Sequence, residues 1–324
     1  MSCHSEHIEV DMAEMVDVTV STSFPVTRSG ATAPPGYHFR YALQVLVSGT
    51  SETFYSQVQT SPVFEMRLPK NLSFDFYAWV DIVESGTTNL HYNIYTGGKL
   101  RLDEISILLT NVYGSYEPVT SQYGGISHYY ADNANTRDAF YGKAMNKTSA
   151  QAQNLEIEVY RPFARINIYA TDAAYVKKLN ERDLPDFLGC RYHAYPSPDE
   201  NRAVWYQQFN AFTGVTGGDS YMLSHAHVNG DDPAEPLLTD YIFITAPEGI
   251  EQRIRFSIEF WATQYEDGGN TIYENRLIKE VNFENIPVKR NHVTNVYGRL
   301  LTEDGEIEVV ISADFDNSNI INIY

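Results

Sequence analysis

Apolar and polar residues alternate along much of this chain, which is the pattern of half-buried β-strands, whose side chains repeat every two residues. The clearest alternation places apolar residues at six successive odd positions from Tyr37 to Val47, and a second one runs from Leu72 to Ile82. Further strands are predicted at 16–26, 90–95, 100–109, 240–244, 254–260, 271–283, 292–302 and 306–311. Short strands of this kind indicate β-sandwiches, and the lack of regular helical patterns excludes a parallel α/β sheet.

The stretch from Leu72 to Ile82 also predicts which faces of its sheet are buried. Its even positions are apolar, whereas its odd positions include Asp75 and Asp81. Antiparallel sheets commonly have one packed face and one face in water. We therefore expect the face that carries the two aspartates to be solvated.

The alternation changes phase within the stretch from Leu155 to Ala170. Apolar side chains occupy odd positions up to Val159 and even positions from Ala164 onwards, and the dipeptide 161–162, Arg-Pro, lies between them. Since the side-chain period of a strand is two, this change predicts a bulge or a crossing, and proline is tolerated at such points. We expect a strand that leaves one sheet and enters another.

This seam and the chain length together predict two domains. A domain usually contains roughly 100 to 200 residues, so a chain of 324 residues favours two. We place an N-terminal β-sandwich at 1–153 and a C-terminal β-sandwich at 154–324, with Pro162 setting their relative orientation. One minor helix is predicted at 172–183, because Ala173, Val176 and Leu179 would share one face.

The charge of the chain excludes some partners. Its formal net charge of -19 repels nucleic acid phosphates and anionic lipids, so we expect no nucleic acid partner. The apolar runs fall short of the roughly 20 residues that a membrane helix requires. Tyrosine (24 residues) and phenylalanine (16 residues) are abundant, a composition common in extracellular β proteins.

The two cysteines, Cys3 and Cys190, exclude a disulfide framework and allow one bridge at most. Cys3 lies in an acidic N-terminal segment and has two interpretations. It is a free terminal thiol, or Ser2-Cys3 is the remainder of a bacterial lipobox and Cys3 is the lipidated residue.

Two clusters contain residue types that bind metals. A pair of histidines two positions apart with carboxylates nearby could hold zinc or copper, although exposed loop histidines are common. A run of alternating oxygen-bearing residues resembles a calcium loop but lacks its glycine and its terminal glutamate. The residues are His225, His227, Asp231 and Asp232 in the first cluster and Asp314, Asp316 and Ser318 in the second. We expect no metal site and no cofactor.

Catalytic signatures are missing from the sequence. Ser220 lies near His225, but it follows a glycine-rich turn without the G-x-S-x-G pattern of a nucleophile elbow. The chain also lacks H-E-x-x-H, a phosphate loop and G-x-G-x-x-G. We therefore expect that the protein is not an enzyme.

Aromatic residues in loop-like regions are the better functional lead. Trp205, Tyr206, Tyr129 and Tyr130 could stack on sugars or anchor a protein partner. The alternative is that these rings pack against a core or cover the end of a sheet. Trp79, by contrast, lies within a strand pattern and is expected to be structural.

Six motifs in a fixed order resemble the fimbrillin-like surface lipoproteins of Bacteroidales. The match covers roughly residues 15 to 312 and is most similar to an uncharacterised lipoprotein group within that family. The motifs are FYAWVDIV (76–83), LRLDEI (100–105), TRDAFYGK (136–143), EVYRPFARINI (158–168), LTDYIFI (238–244) and IPVKRNHVTNVYGRLLT (286–302).

This resemblance implies two tandem transthyretin-like or immunoglobulin-like β-sandwiches in an all-β protein. It also implies export as a lipoprotein and display on the outer membrane at the cell surface, with membrane contact only through the lipid anchor. The implied function is adhesion or a structural or tip role in a fimbrium. The implied partners are other fimbrial subunits, or a host or bacterial surface protein or glycan. A glycan-binding surface lipoprotein that uses the loop aromatics is the alternative.

The resemblance further implies assembly by strand exchange. In pilin members of the family, an arginine-specific protease removes the first strand, and the C-terminal strand of a neighbouring subunit fills the groove that remains. Here Val16–Val26 would be the removable strand and Ile320–Tyr324 the donor, with Arg28 as the cleavage site. The alternative for Arg28 is an ordinary exposed loop arginine.

The C-terminal tail departs from the pilin pattern. After Ile311 the chain is short and is interrupted by Asp314, Asp316 and Asn317. Such a tail would be a weak donor strand, so the sequence favours a tip or solitary subunit over a polymerising one.

Overall fold

The computed structural model describes residues 14–24, 33–86, 90–108, 110–111, 129–130, 135–172, 190–193, 206–220, 225–226, 236, 238–264, 274–300 and 307–312. Regular structure in these ranges is almost entirely β-strand, with one 3-10 turn at Asn135–Arg137. None of the helical structure described there could cross a membrane. The all-β class is confirmed, and the helix predicted at 172–183 lies almost wholly outside the described residues.

The strands follow one another along the chain in two groups that meet at the seam. Those before it are β1 (Met15–Ser23), β2 (Tyr37–Val47), β3 (Thr53–Gln59), β4 (Val63–Pro69), β5 (Ser73–Glu84), β6 (Tyr92–Asn93), β7 (Tyr95–Thr96), β8 (Lys99–Leu100), β9 (Ile105–Ile107), β10 (Thr110–Asn111), β11 (Tyr129–Tyr130), β12 (Ala139–Thr148) and β13 (Asn154–Glu158). Those after it are β14 (Phe163–Ala170), β15 (Cys190–His193), β16 (Tyr206–Asn210), β17 (Val215–Ser220), β18 (His225–Ala226), β19 (Leu238–Phe243), β20 (Gln252–Gln264), β21 (Glu274–Val288), β22 (Val293–Gly298) and β23 (Ile307–Ser312).

The first sandwich packs sheet β13-β1-β4 against sheet β12-β5-β2-β3. The alternation predicted in β2 is confirmed, because its odd positions from Tyr41 to Val47 enter the core between the two sheets. The core also contains Val18, Val20, Phe64, Leu68, Phe74, Phe76, Ala78, Val80, Phe140, Ile157 and Val159.

Strand β5 is buried on both faces, which corrects the expectation of a solvated face. Tyr77 and Trp79 point away from the first core and join a second one, so Trp79 is structural as predicted. Asp81 is only 1% exposed and is paired with Arg40, whose guanidinium donates two hydrogen bonds to its carboxylate. The alternation pattern alone does not distinguish a buried carboxylate that has such a partner from a solvated carboxylate.

The second core joins strands from both halves of the chain. Sheet β17-β16-β9-β6 pairs β16 with β9, so that Phe209 lies opposite Ile105. Two further four-stranded sheets, β19-β14-β22-β23 and β18-β15-β20-β21, contribute Ile166, Phe243 and Phe256 to the same cluster. The halves are therefore joined by main-chain pairing as well as by side-chain packing.

The seam is a change of sheet, as predicted. β13 pairs in parallel with β1, whereas β14 pairs with β19 and β22. Between them Tyr160 bridges to Tyr141 through two main-chain hydrogen bonds of 2.8 and 2.9 Å. The boundary at 153/154 stays a prediction, and the pairing of β13 with β1 favours placing it near Pro162.

The second core joins strands from both halves of the chain, so their relative orientation no longer depends on Pro162 alone. Its carbonyl accepts a hydrogen bond from the Ile244 amide at 3.3 Å, and alanine retains that carbonyl. We expect Pro162→Ala to change the free energy of unfolding by less than about 1 kcal/mol, through the freedom of the unfolded chain. A small-angle scattering profile identical to that of the parent checks this, and an extended profile would restore the role of Pro162.

Candidate functional site

The residues predicted to bind ligands or to be modified fall in different places. Cys3, Arg28 and Trp205 lie outside the described residues. The backbone of Tyr206 lies in β16 opposite Ser220, and Tyr129 and Tyr130 form β11, which pairs with β10. The tyrosines were predicted in loops, and their backbones lie in strands of two different sheets. No single sheet brings them together.

The residues considered as metal ligands or as a nucleophile, and judged unsuited to those roles from the sequence, are only partly described. The backbone of His225 lies in β18 opposite Arg191, and Ser220 ends β17. His227, Asp231, Asp232, Asp314, Asp316 and Ser318 lie outside the described residues. Within the described ranges, no group of three or more His, Cys, Asp or Glu side chains is arranged to hold a metal.

The first strand occupies the centre of its sheet, with a partner on each edge. β1 runs antiparallel to β4 from Met15 to Ser21 and parallel to β13 from Thr19 to Ser23. The Thr19 amide donates to the Gln153 carbonyl at 3.0 Å, and the Thr22 amide donates to the Pro62 carbonyl at 3.0 Å. Without β1, both β4 and β13 would present unpaired edges.

Side chains of β1 alternate between the core and the outer surface. Val18 and Val20 are 2% and 0% exposed, whereas Asp17 lies on the opposite face. Beyond the strand, the Phe24 ring packs on Phe39 and Phe140, with centroids 5.3 and 4.8 Å apart. The site that β1 fills is a groove with a hydrogen-bonding edge on each side and apolar pockets in its floor.

A buried polar network lies at the seam, where the two halves meet. Arg161 donates to both carboxylate oxygens of Asp138, at 2.7 and 2.8 Å, and to the side-chain oxygen of Asn291 at 3.2 Å. Its guanidinium also lies over the Phe140 ring, 5.0 Å from the centroid. Arg161 and Asp138 side chains are each 3% exposed, so solvent screens this pair little.

Two further arginines extend this seam network into the second half. Arg137 donates to Asp240 at 3.0 Å, across 103 residues of sequence, and burial raises the pKa of the neighbouring Tyr241 to about 12. Arg290 donates to the Tyr141 hydroxyl at 2.9 Å and to the Ile244 carbonyl. Each guanidinium is held by fixed acceptors, so the network is suited to holding strands in place rather than to chemistry.

The seam network explains motifs that the sequence offered only as marks of resemblance. Arg137 and Asp138 belong to TRDAFYGK, Arg161 to EVYRPFARINI, Asp240 to LTDYIFI and Arg290 to IPVKRNHVTNVYGRLLT. Asp240, which lies inside the mostly apolar strand β19, was the available signal, because charges are rarely fully buried unless they are paired.

Comparisons with known proteins give a family and several related folds. The profile of the family described as "Family of unknown function (DUF6562)" matches residues 6–323. No curated protein sequence matches the chain. A proposed cell adhesion protein from Bacteroides eggerthii is similar at a TM-score of 0.45 and 11% identity, covering 92% of this chain and 95% of its own.

Two further solved structures are similar at comparable levels. Proposed polysaccharide-binding proteins from Bacteroides thetaiotaomicron match at a TM-score of 0.46 and 12% identity, covering 92% of this chain and 96% of their own. The tip fimbrial protein Mfa3 from Porphyromonas gingivalis matches at 0.39 and 10% identity, covering 91% of this chain and 99% of its own.

Proposed function

The chain belongs to DUF6562, a family of unknown function, and we propose that it is a non-catalytic cell-surface protein of fimbrillin type. Its role is adhesion, or a structural or tip position in a fimbrium. The proposal includes a lipid anchor at Cys3 in the outer membrane and cleavage after Arg28. Its partners are other fimbrial subunits that exchange strands with it.

The observation that carries this proposal is the position of β1. The strand fills a groove between β4 and β13, and it is joined to β2 by the segment 24–36, which contains Arg28. Cleavage in that segment would leave β1 held only by non-covalent contacts. A donor strand could then replace it, because main-chain hydrogen bonds supply affinity and the pockets of Val18 and Val20 supply specificity.

A variant that lacks residues 1–28 tests the groove directly. We expect this variant to bind a synthetic peptide of residues Met15–Phe24 and to regain the stability of the parent. A peptide with Val18→Asp and Val20→Asp should bind at least about 100-fold more weakly, because each carboxylate would be buried without a partner. Fluorescence anisotropy of the labelled peptides and thermal unfolding of the complexes measure both effects.

Assembly is measured by mixing the same variant with the parent protein. Filaments or a strand-exchanged dimer, detected by electron microscopy and light scattering, are the expected result. Persistent monomers together with equal binding of the two peptides would contradict the fimbrial role.

A surface lipoprotein that binds glycans through Trp205, Tyr206, Tyr129 and Tyr130 is the second candidate function. The structure does not describe these four side chains, so this candidate function is supported by the sequence alone. A glycan array with the parent and with Trp205→Ala tests it, and an array without any bound glycan rejects it.

A further inference from the structure

A cleft of about 360 Å³ lies between the edge strand β3 and the hairpin β7–β8. This volume is at the lower end of the range of small-molecule sites, which is roughly 300 to 1,000 Å³. The cleft is distinct from the groove of β1 and from the seam network. It is lined by Thr53, Ser56, Gln57 and Val58 on one side and by Tyr95, Gly98, Lys99, Leu100 and Arg101 on the other.

The walls of the cleft are fixed to one another by a buried glutamine. Gln44 is 2% exposed, and its amide nitrogen donates to the Thr53 hydroxyl at 2.9 Å. Its amide oxygen accepts a hydrogen bond from the Leu102 main chain at 3.0 Å. One buried side chain therefore ties β3 to the segment that follows β8, so the shape of the cleft is preformed.

The hairpin that forms the second wall has a tight turn. Gly97 and Gly98 have φ values of 59° and 76°, and a two-residue hairpin turn with positive φ at both positions favours glycine. The turn places Tyr95 and Lys99 at the mouth of the cleft, and 40% of the Tyr95 surface is exposed to solvent. An exposed ring in a fixed position is available for stacking.

The charges in the cleft are largely balanced by the protein itself. Arg101 donates to both carboxylate oxygens of Asp103 at 2.8 Å and to Glu104 at 2.8 Å. These bonds hold the pKa of the Asp103 carboxyl below its usual range, so the pair stays ionised. Lys99 adds one exposed cation, but the chain as a whole carries a net charge of -19, which disfavours anionic ligands.

The remaining lining groups are hydroxyls and amides beside one aromatic ring. Thr53 and Ser56 are exposed and supply hydroxyl donors and acceptors along β3, whereas the Gln57 side chain is bonded to those of Tyr55 and Gln59. The lining is about evenly polar and apolar, with Val58, Leu100 and the Tyr95 ring beside the hydroxyls, so a ligand that has both polar and apolar faces fits it. A pyranose ring matches this set, since its hydroxyls need donors and acceptors and its C–H face packs on an aromatic ring.

We propose that this cleft binds a neutral saccharide of one or two pyranose rings, with Tyr95 stacking on one ring and the β3 side chains holding its hydroxyls. The inference rests on the proposed surface role and names a ligand class for it. A neutral sugar at the end of a surface glycan would enter from the open mouth of the cleft.

Saturation-transfer NMR with the full chain tests the proposal. The probes are lactose, cellobiose, mannobiose and chitobiose, each at up to about 10 mM, the range in which single sugars bind weak sites. At least one neutral disaccharide is expected to bind, and 3′-sialyllactose is expected to bind more weakly than lactose. A panel without binding overturns the proposal, and so does a preference for the sialylated sugar.

Three cleft variants and one control outside the cleft locate the binding. Tyr95→Ala should raise the dissociation constant by roughly 5- to 10-fold through the loss of stacking, whereas Tyr95→Phe should leave the dissociation constant unchanged. Ser56→Trp should fill the cleft and abolish binding, since Ser56 is exposed and tolerates a larger side chain. Tyr37→Ala, outside the cleft, should bind as the parent does. Equal binding by parent, Tyr95→Ala and Ser56→Trp overturns the proposal.

The outcome is independent of strand exchange. Filament formation without saccharide binding rejects the proposal that the cleft binds a sugar and is consistent with the fimbrial role. Saccharide binding by a protein that stays monomeric, and whose truncated variant binds both β1 peptides equally, supports the cleft and rejects the fimbrial role.

Discussion

Replacing Arg161 with methionine is expected to lower the free energy of unfolding by about 3–5 kcal/mol. The substitution keeps much of the side-chain volume but leaves the Asp138 carboxylate buried and without its bidentate partner. It also removes the hydrogen bond to Asn291 and the contact with the Phe140 ring. A loss of this size is a large fraction of the stability of a typical domain, which is about 5–15 kcal/mol.

Urea denaturation followed by far-ultraviolet circular dichroism measures this effect, and Arg67→Met provides a matched control. Arg67 forms an ion pair with Asp17 at 3.3 Å, but both side chains are largely exposed. Such surface pairs contribute about 0–1 kcal/mol, so the control should change stability little. In the double variant that combines Arg161→Met with Asp138→Asn, the loss of unfolding free energy should be smaller than the sum of the losses in the two single variants. Equal losses for Arg161→Met and Arg67→Met would show that the seam network does not stabilise the fold.

The strands with the longest alternation could be predicted from the sequence alone. In β2 the apolar odd positions face the first core, because the period of two is a property of the strand itself. The same argument failed for the opposite face of β5. Asp81 is covered because the second half packs there and Arg40 neutralises it, and both facts depend on residues far away in the sequence.

The pairing of β9 with β16 had no signal in the sequence. β9 spans Ile105–Ile107 and is too short to show a period, and its partner lies about 100 residues further on. The seam network had a partial signal in Asp240, a carboxylate within the apolar run LTDYIFI. The identity of its partner, Arg137, required the fold.

The saccharide cleft was also beyond sequence reasoning, although one of its parts was visible. The dipeptide Gly97-Gly98 predicts a tight turn. That the turn stands beside β3 depends on Gln44, which bonds to Thr53 and to the Leu102 main chain. The aromatics chosen from the sequence were those in the least regular stretches, whereas Tyr95 lies in a two-residue strand between regular ones.

Substituting Gly142 by alanine is expected to lower the free energy of unfolding by about 3 kcal/mol, the upper part of the range for overpacked cores. Gly142 lies in β12 where β13 crosses over it. A Cβ atom there would meet the main-chain oxygen of Glu158 and would lie 2.8 Å from the Cγ2 atom of Ile157. Because the first of these atoms belongs to the backbone, the clash cannot be relieved by a change of rotamer, and β13 must move.

Movement of β13 links this loss of stability to the proposed strand exchange, since β13 forms one wall of the groove that holds β1. The amides of β1 should therefore exchange with deuterium faster in Gly142→Ala than in the parent, as hydrogen-exchange mass spectrometry can measure. Gly217→Ala is the matched control, because a Cβ there meets no atom within 4 Å, and its effect should stay below about 1 kcal/mol. Unfolding of both variants at the same urea concentration would show that β12 and β13 are not in close contact. In that case β13 would not be held firmly as one edge of the groove.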